Sequence, residues 1–194
     1  MFNVLLDALP EEWNGYPIDS DFQTGIQISQ CMTDGTLNDR EKWYTAIALL
    51  FPDEDRRPPL KEAMQGVGWF LNEFNHDRHG KSSTNVKAMD FDVDQWRIYA
   101  AFRNQYGINL NRDSLHWFEF MGLLSNLEEC SFGRVVDIRQ KKVNGKMSAE
   151  ERKAILNAKR VYALTEEDEQ LTMEEKEKEM AAIEVFNEMR NKGK

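Results

Sequence analysis

The chain has 194 residues, 41% apolar and 30% charged, with a formal net charge of −9 and a sequence pI near 5.0. That length and apolar share suit one domain, or one domain with an appendage, around a core of useful size. The acidic balance argues against a general nucleic-acid binder, which must release counterions from phosphates, and disfavours an anionic membrane surface.

Residues 1–18 carry turn punctuation at Pro10, Asn14-Gly15 and Pro17, and the flanks Glu12-Trp13 and Tyr16-Pro17-Ile18 predict at most a small hairpin. The first seven residues lack the basic start and apolar core of a leader peptide. Asp19-Ser20-Asp21 offers a cap for a first helix through Phe22 and Ile26, ending near Asp34-Gly35 and modestly weakened by Gly25. A second helix opens at Leu37-Asn38-Asp39, lines up Trp43, Ile47 and Leu50, and stops at Pro52. Pro58-Pro59 suits the start of a third. It carries Leu60, Ala63, Met64, Val67, Leu71 and Phe74, with Gly66 and Gly68 as a cost unless another backbone packs closely there. From Asn75 to Asp90 the chain is polar and reads as a loop.

The stretch from Phe91 to Arg139 is the expected centre of the core. Trp96, Tyr99, Ala100, Phe102, Arg103 and Tyr106 keep helical spacing, and Gly107 stands where the pattern stops. Asn111 or Asp113 then caps a helix whose Leu115, Phe118, Met121 and Leu124 share a face, widened by Trp117, Phe120, Leu123 and Leu127. The two helices, over 91–106 and 113–128, are expected to pack as an antiparallel or crossed pair. Their predicted core is Trp96, Tyr99, Phe102, Tyr106, Leu115, Trp117, Phe118, Met121 and Leu124. A shorter helix opens at Ser131-Phe132 with Phe132, Val135, Val136 and Ile138 apolar and Arg134, Arg139, Lys141 and Lys142 on the wet side. Ser148 and Glu151 form a capping box for a helix through Ile155, Ala158 and Tyr162 to Leu164.

Residues 165–194 differ in composition. Ten acids against five bases give this segment −5 of the total −9. Leu171, Met180, Ile183 and Phe186 supply only a thin apolar stripe, too narrow for an isolated helix. Those four are the candidate partner-binding positions, on an oligomer or a client segment. The expected architecture is all-α: a compact bundle of about seven short helices over 1–164, a small N-terminal hairpin, and a projecting acidic C-terminal helix or tail over 165–194.

No catalytic constellation emerges. His76 and His79 have no nearby third ligand for a metal. The run Asp90, Asp92, Asp94 lacks the glycine and bidentate Glu of a calcium loop and reads as an acidic helix start. His116 reads as a helix-face residue without a partner for general-base work. Gly66-Val67-Gly68 lacks the third glycine and the preceding strand of a dinucleotide site. Cys31 and Cys130 read as small buried hydrophobes in a reducing cytosol. No run of roughly 18 apolar residues occurs to cross a membrane. The expectation is a non-enzyme with no cofactor or metal, binding neither nucleic acid nor membrane, and cytoplasmic.

The central motifs carry a resemblance. Asp92-x-x-x-Trp96-Arg97-Ile98-Tyr99-Ala100-Ala101-Phe102, Gln105-Tyr106-Gly107-Ile108-Asn109-Leu110, Leu115-His116-Trp117-Phe118-x-Phe120 and Leu123-Leu124-x-x-Leu127 resemble the bacteriophage gene-product-fifteen family of tailed phages and prophages of Gram-positive hosts. Phe132-x-x-Val135-Val136-x-Ile138-Arg139 and the segment from Met147-Ser148-x-Glu150 to Tyr162-Ala163-Leu164 match it too. Phe118 stands where that family often has a second Trp. The resemblance covers roughly residues 10–165 and leaves the acidic tail outside. It implies a tail assembly chaperone that binds the tape measure protein, with other tail assembly proteins as further partners, and keeps it soluble in the host cytoplasm. Such a protein is absent from the finished particle and is expected to be a homo-oligomer. The alternative is a tail-completion or connector component retained in the virion.

Overall fold

The computed structural model describes residues 3–72, 88–143, 147–165, 168, 170, 172–174, 177, 178 and 181. Among them the architecture is all-α, with one small hairpin. β1 (Glu12–Trp13) pairs antiparallel with β2 (Tyr16–Pro17), followed by α1 (Phe22–Thr33), α2 (Asp39–Leu50), a 3-10 turn (Glu54–Arg56) and α3 (Leu60–Asn72). Then come α4 (Gln95–Gln105), α5 (Trp117–Ser125), α6 (Ser131–Gln140) and α7 (Ala149–Val161). Asn14 and Gly15 at φ 51° and 81° close the hairpin, the sign its strand twist requires. Asp21 caps α1 by accepting from the Gln23 N–H, while Asn38 with Glu41 and Ser148 with Glu151 form reciprocal capping boxes on α2 and α7.

The chain divides into two compact units, one of Met1–Lys81 with Phe102–Leu127 and one of Ser82–Ala101 with Glu128–Lys194. In the first, α1 packs on α2, α3 and α5. Its centre is aromatic. Phe120 stacks on Phe22 and Phe102 at 4.9 and 5.1 Å between centroids, and Phe70 lies 6.1 Å from Trp117 and 5.8 Å from Phe118. Phe22, Phe70, Phe102, Leu115, Trp117, Phe118, Phe120 and Leu124 are buried, and Tyr106 and Met121 half-buried. The end of α4 meets α5 through Phe102 and through the Tyr106 hydroxyl, which donates to the Leu123 carbonyl at 3.0 Å.

The entrances of α1 and α5 are laced together. The Phe22 N–H donates to Leu115 O at 2.9 Å, the Trp117 N–H to Ser20 O at 2.8 Å, and the Ser114 hydroxyl to Asp21 Oδ2 at 2.7 Å. Such lacing corrects the expected start of this helix. It begins at Trp117 and is capped by His116, not at 113 behind Asn111 or Asp113. Asn109 and Asp113 instead close a separate turn, with the Asn109 N–H donating to Asp113 Oδ2 at 2.7 Å. His116 Nδ1 accepts from the Phe118 N–H at 3.0 Å and Nε2 lies 3.0 Å from Pro10 O. A carbonyl only accepts, so the ring carries its proton on Nε2.

Gly25 and Gly66 make room for neighbouring side chains. A Cβ on Gly25 would stand 2.2 Å from Trp117 Cε3, and one on Gly66 2.8 Å from Phe51 Cζ. Side chains rather than backbone make both approaches. Gly68 faces open space.

In the second unit α6 packs on α7. Two expectations are corrected there. Trp96, predicted for the core, is 73% exposed, while Tyr99 is half-buried. Arg139, predicted for the wet side, is buried. Cys31 is buried, whereas Cys130 is half-buried and caps α6 with its sulfur. Of the acidic segment, the described positions between 168 and 181 are helical, and Thr172 is buried. Leu171, Met180, Ile183 and Phe186 lie outside the described residues, as do His76 and His79.

The glycines give a paired expectation. Gly25→Ala should destabilise by about 1–3 kcal/mol, because buried Trp117 has no room to retreat. Gly68→Ala should instead stabilise by about 0.5–1 kcal/mol through helix propensity alone. Denaturant unfolding of both variants checks the pair, and a neutral or stabilising Gly25→Ala contradicts the close approach.

Candidate interaction surface

The second unit is organised by one carboxylate. Asp94 immediately precedes α4 and its carbonyl accepts from the Arg97 and Ile98 N–H groups at 2.9 and 3.0 Å. Its side chain is wholly buried and meets the guanidinium of Arg139, from α6, as a fork. Arg139 Nη1 donates to Oδ2 at 2.6 Å and Nη2 to Oδ1 at 3.1 Å. The Arg139 Nε donates to the Tyr162 carbonyl at 2.7 Å, and Nη1 also to the Ala88 carbonyl at 3.2 Å. Arg97 Nη1 adds a third donor to Asp94 Oδ1 at 3.0 Å, and its guanidinium lies 5.7 Å from the Tyr162 ring centroid. Ala88, the foot of α4, the end of α6 and the residue after α7 are thus fixed by one side chain.

Beside that lock stand exposed apolar groups. Val93, in the turn before α4, is 52% exposed, and Trp96, in the first turn of the helix, 73%. Tyr99 follows three later, with its ring 6.0 Å from Trp96 in an edge contact. Trp96 and Tyr99, three apart within the helix, are neighbours on its surface. A large aromatic left in water at a rigid helix start is unusual for a folded chain, where such side chains dominate cores and interfaces. In the first unit, the turn closed by Asn3 and Asp7 displays Val4, Leu5 and Leu6 at 62, 87 and 83% exposure.

The groups singled out for chemistry have structural occupations. Asp90 Oδ1 accepts from the Asp92 and Val93 N–H groups, shaping the turn into α4, and Asp94 is in the ion pair. His116 caps α5. Burial pushes the Cys31 thiol up, partly offset by Thr45, while the Thr36 hydroxyl and N–H hold Asp34 low and Ser148 holds Glu151 low. These shifts follow from burial, a turn and a cap. Among the described residues no group of three or more His, Cys, Asp or Glu is placed to hold a metal ion. No helix among them is long and apolar enough to cross a membrane.

The surface was missed at the sequence level because helical spacing marks Trp96 as apolar without saying whether its face is covered. Arg139 was within reach. It continues the spacing of the buried Phe132 and Val135 at i+3 and i+7, on the same helix face.

A family model described as "Bacteriophage Gp15 protein" matches residues 2–164. No curated protein and no solved structure matches the chain.

Arg139→Leu alone should cost about 3–5 kcal/mol, because it leaves a buried carboxylate short of its main partner. The double replacement of Asp94 and Arg139 by Leu should cost clearly less than the sum of the two single changes. A double-mutant cycle by urea unfolding measures this, and simple additivity contradicts the role given to the pair.

Proposed function

Because the chain belongs to the family described as Bacteriophage Gp15 protein, we propose that it is a tail assembly chaperone which binds the tape measure protein and keeps it soluble until the tail tube forms. The observation that carries this reading is the pair of exposed apolar side chains, Val93 just before α4 and Trp96 in its first turn, on a helix start locked by a buried ion pair. A holdase needs apolar surface available to an unfinished client without losing its own fold. Rigid support under an exposed aromatic meets that need, since little ordering remains to be lost on binding. Chain-wide acidity of −9 keeps such a surface from associating indiscriminately. We place its action in the host cytoplasm, as a non-enzyme without cofactor, and propose self-association through Leu171, Met180, Ile183 and Phe186 of the acidic segment.

Co-expression with the tape measure protein of the same phage is the direct test. Soluble tape measure should rise at least several-fold with the chain present, and the two should co-purify. Mass spectrometry of purified particles should find the chain absent. Its presence in fixed copy number would identify a tail-completion or connector component instead.

A further inference from the structure

We propose that the outer face of α3 pairs with the same face of a second copy, Leu60 of each entering the gap that Gly68 leaves on the other. The proposal goes beyond the chaperone reading and does not depend on it. Leu60, Met64 and Gly68 stand at i, i+4 and i+8 within α3 and form one row along the helix. Leu60 is 68% exposed, Met64 is half-buried, and a Cβ on Gly68 would meet nothing within 4 Å. Half-buried Leu71 lies beside this row, three residues after Gly68. A glycine inside a helix weakens it, and nothing in its own fold requires Gly68. Gly25 and Gly66 admit Trp117 and Phe51, whereas no neighbour closes on Gly68. Gly122 of α5 is open too, but Phe118 four residues before it is buried, so no exposed apolar side chain shares its row.

Shape selects a second copy. When two such helices lie antiparallel about a two-fold axis at Met64, position 60 of one comes level with position 68 of the other, because each is four residues from the axis. The protruding leucine then meets the open glycine twice, and the two Met64 side chains meet at the centre. Rows of this i±4n kind most commonly pack against one another. Charge points the same way. Lys61 is the exposed charge on this side of α3, while Glu62 lies on the opposite side. Gln65 and Asn72 beside it are neutral, and the Asn72 amide donates to the Gly68 carbonyl at 2.7 Å. In the antiparallel pair the two Lys61 stand six residues apart in level, about 9 Å. The turn ahead of α3 is close to balanced, with Asp53, Glu54 and Asp55 against Arg56 and Arg57, and Glu54 pairs with Arg57 at 3.9 Å. A chain at −9 thus offers here a face where a second copy meets little repulsion and a strongly charged partner gains little.

Sedimentation of the full-length chain across a concentration series measures the pairing. The wild type should pair reversibly and weakly, as suits an interface of one helix from each copy. Leu60→Ala and Gly68→Leu should each raise the dimer dissociation constant about tenfold or more, the first by removing the protrusion and the second by filling the gap. Combining them exchanges protrusion and gap, and the double variant should regain most of the pairing. Gly68→Ala separates the contact from ordinary stability, since it should weaken pairing while the monomer unfolds at higher denaturant. Leu60 is exposed and Gly68 open, so the variants keep their fold, which far-UV circular dichroism checks. A wild type that stays monomeric up to about 1 mM overturns the proposal. So does pairing that survives either single change, which assigns self-association to another surface such as the acidic segment. A double variant that pairs no better than the single ones overturns it too. Tape-measure co-solubility is a separate readout: its absence in the wild type defeats the chaperone reading and leaves this pairing untouched.

Discussion

A charge removed from water is tolerated only where it is paired and hydrogen-bonded, and the Asp94–Arg139 contact meets that condition. Both carboxylate oxygens accept from Arg139, Oδ1 also from Arg97 and Oδ2 also from the Asp90 N–H, and two further Arg139 N–H groups reach backbone carbonyls. Apolar packing here would hold the same elements with a tolerance of several directions. A planar fork on a carboxylate fixes one. The foot of α4 is thereby placed by a directional contact, and the positions of Val93 and Trp96 follow from it. The exposure of Trp96 is then a property of a fixed helix and not of a frayed end.

The first unit solves its packing by the opposite means. Its centre is a set of stacked and tilted rings from α1, α3, α5 and the end of α4, and volume rather than charge sets the spacing. Gly25 lets the Trp117 ring lie against α1 where any side chain would collide. The laced entrances of α1 and α5 complete this, since they satisfy N–H groups that a helix start leaves without an intrahelical partner. Helix propensity lost at Gly25 is small beside the burial of an indole, so packing prevails over propensity.

Much of this was legible before any coordinates. The hairpin at Asn14-Gly15, the capping box at Ser148 and the left-handed Gly107 are local devices, written in neighbouring residues and readable as such. The aromatic core of α5 follows from its apolar circumference. What escaped depends on tertiary partners. His116 is a poor N-cap by preference, and its role appears only once Pro10 stands at its far nitrogen. Trp96 obeys the same periodicity as Phe102, yet one is 73% exposed and the other buried. Spacing identifies a face but not its cover. For Gly25 the sequence carried the cost without the compensating neighbour, which lies 92 positions along the chain at Trp117.

The contrast between Phe102 and Trp96 bears on function as well as prediction. Both sit on one helix, and α4 belongs to the second unit up to Ala101 and to the first from Phe102. Phe102 closes against Phe120. Among the described residues of its unit the Trp96 ring meets the edge of Tyr99, and an indole left in water forgoes roughly 1.5–3 kcal/mol of burial. A fold that needed Trp96 only for stability would gain by replacing it with a polar residue at that position. On the proposed chaperone reading, that burial energy is available to a second molecule. On that reading the lock has a physical use, since a helix start already held in place has little ordering left to lose on association.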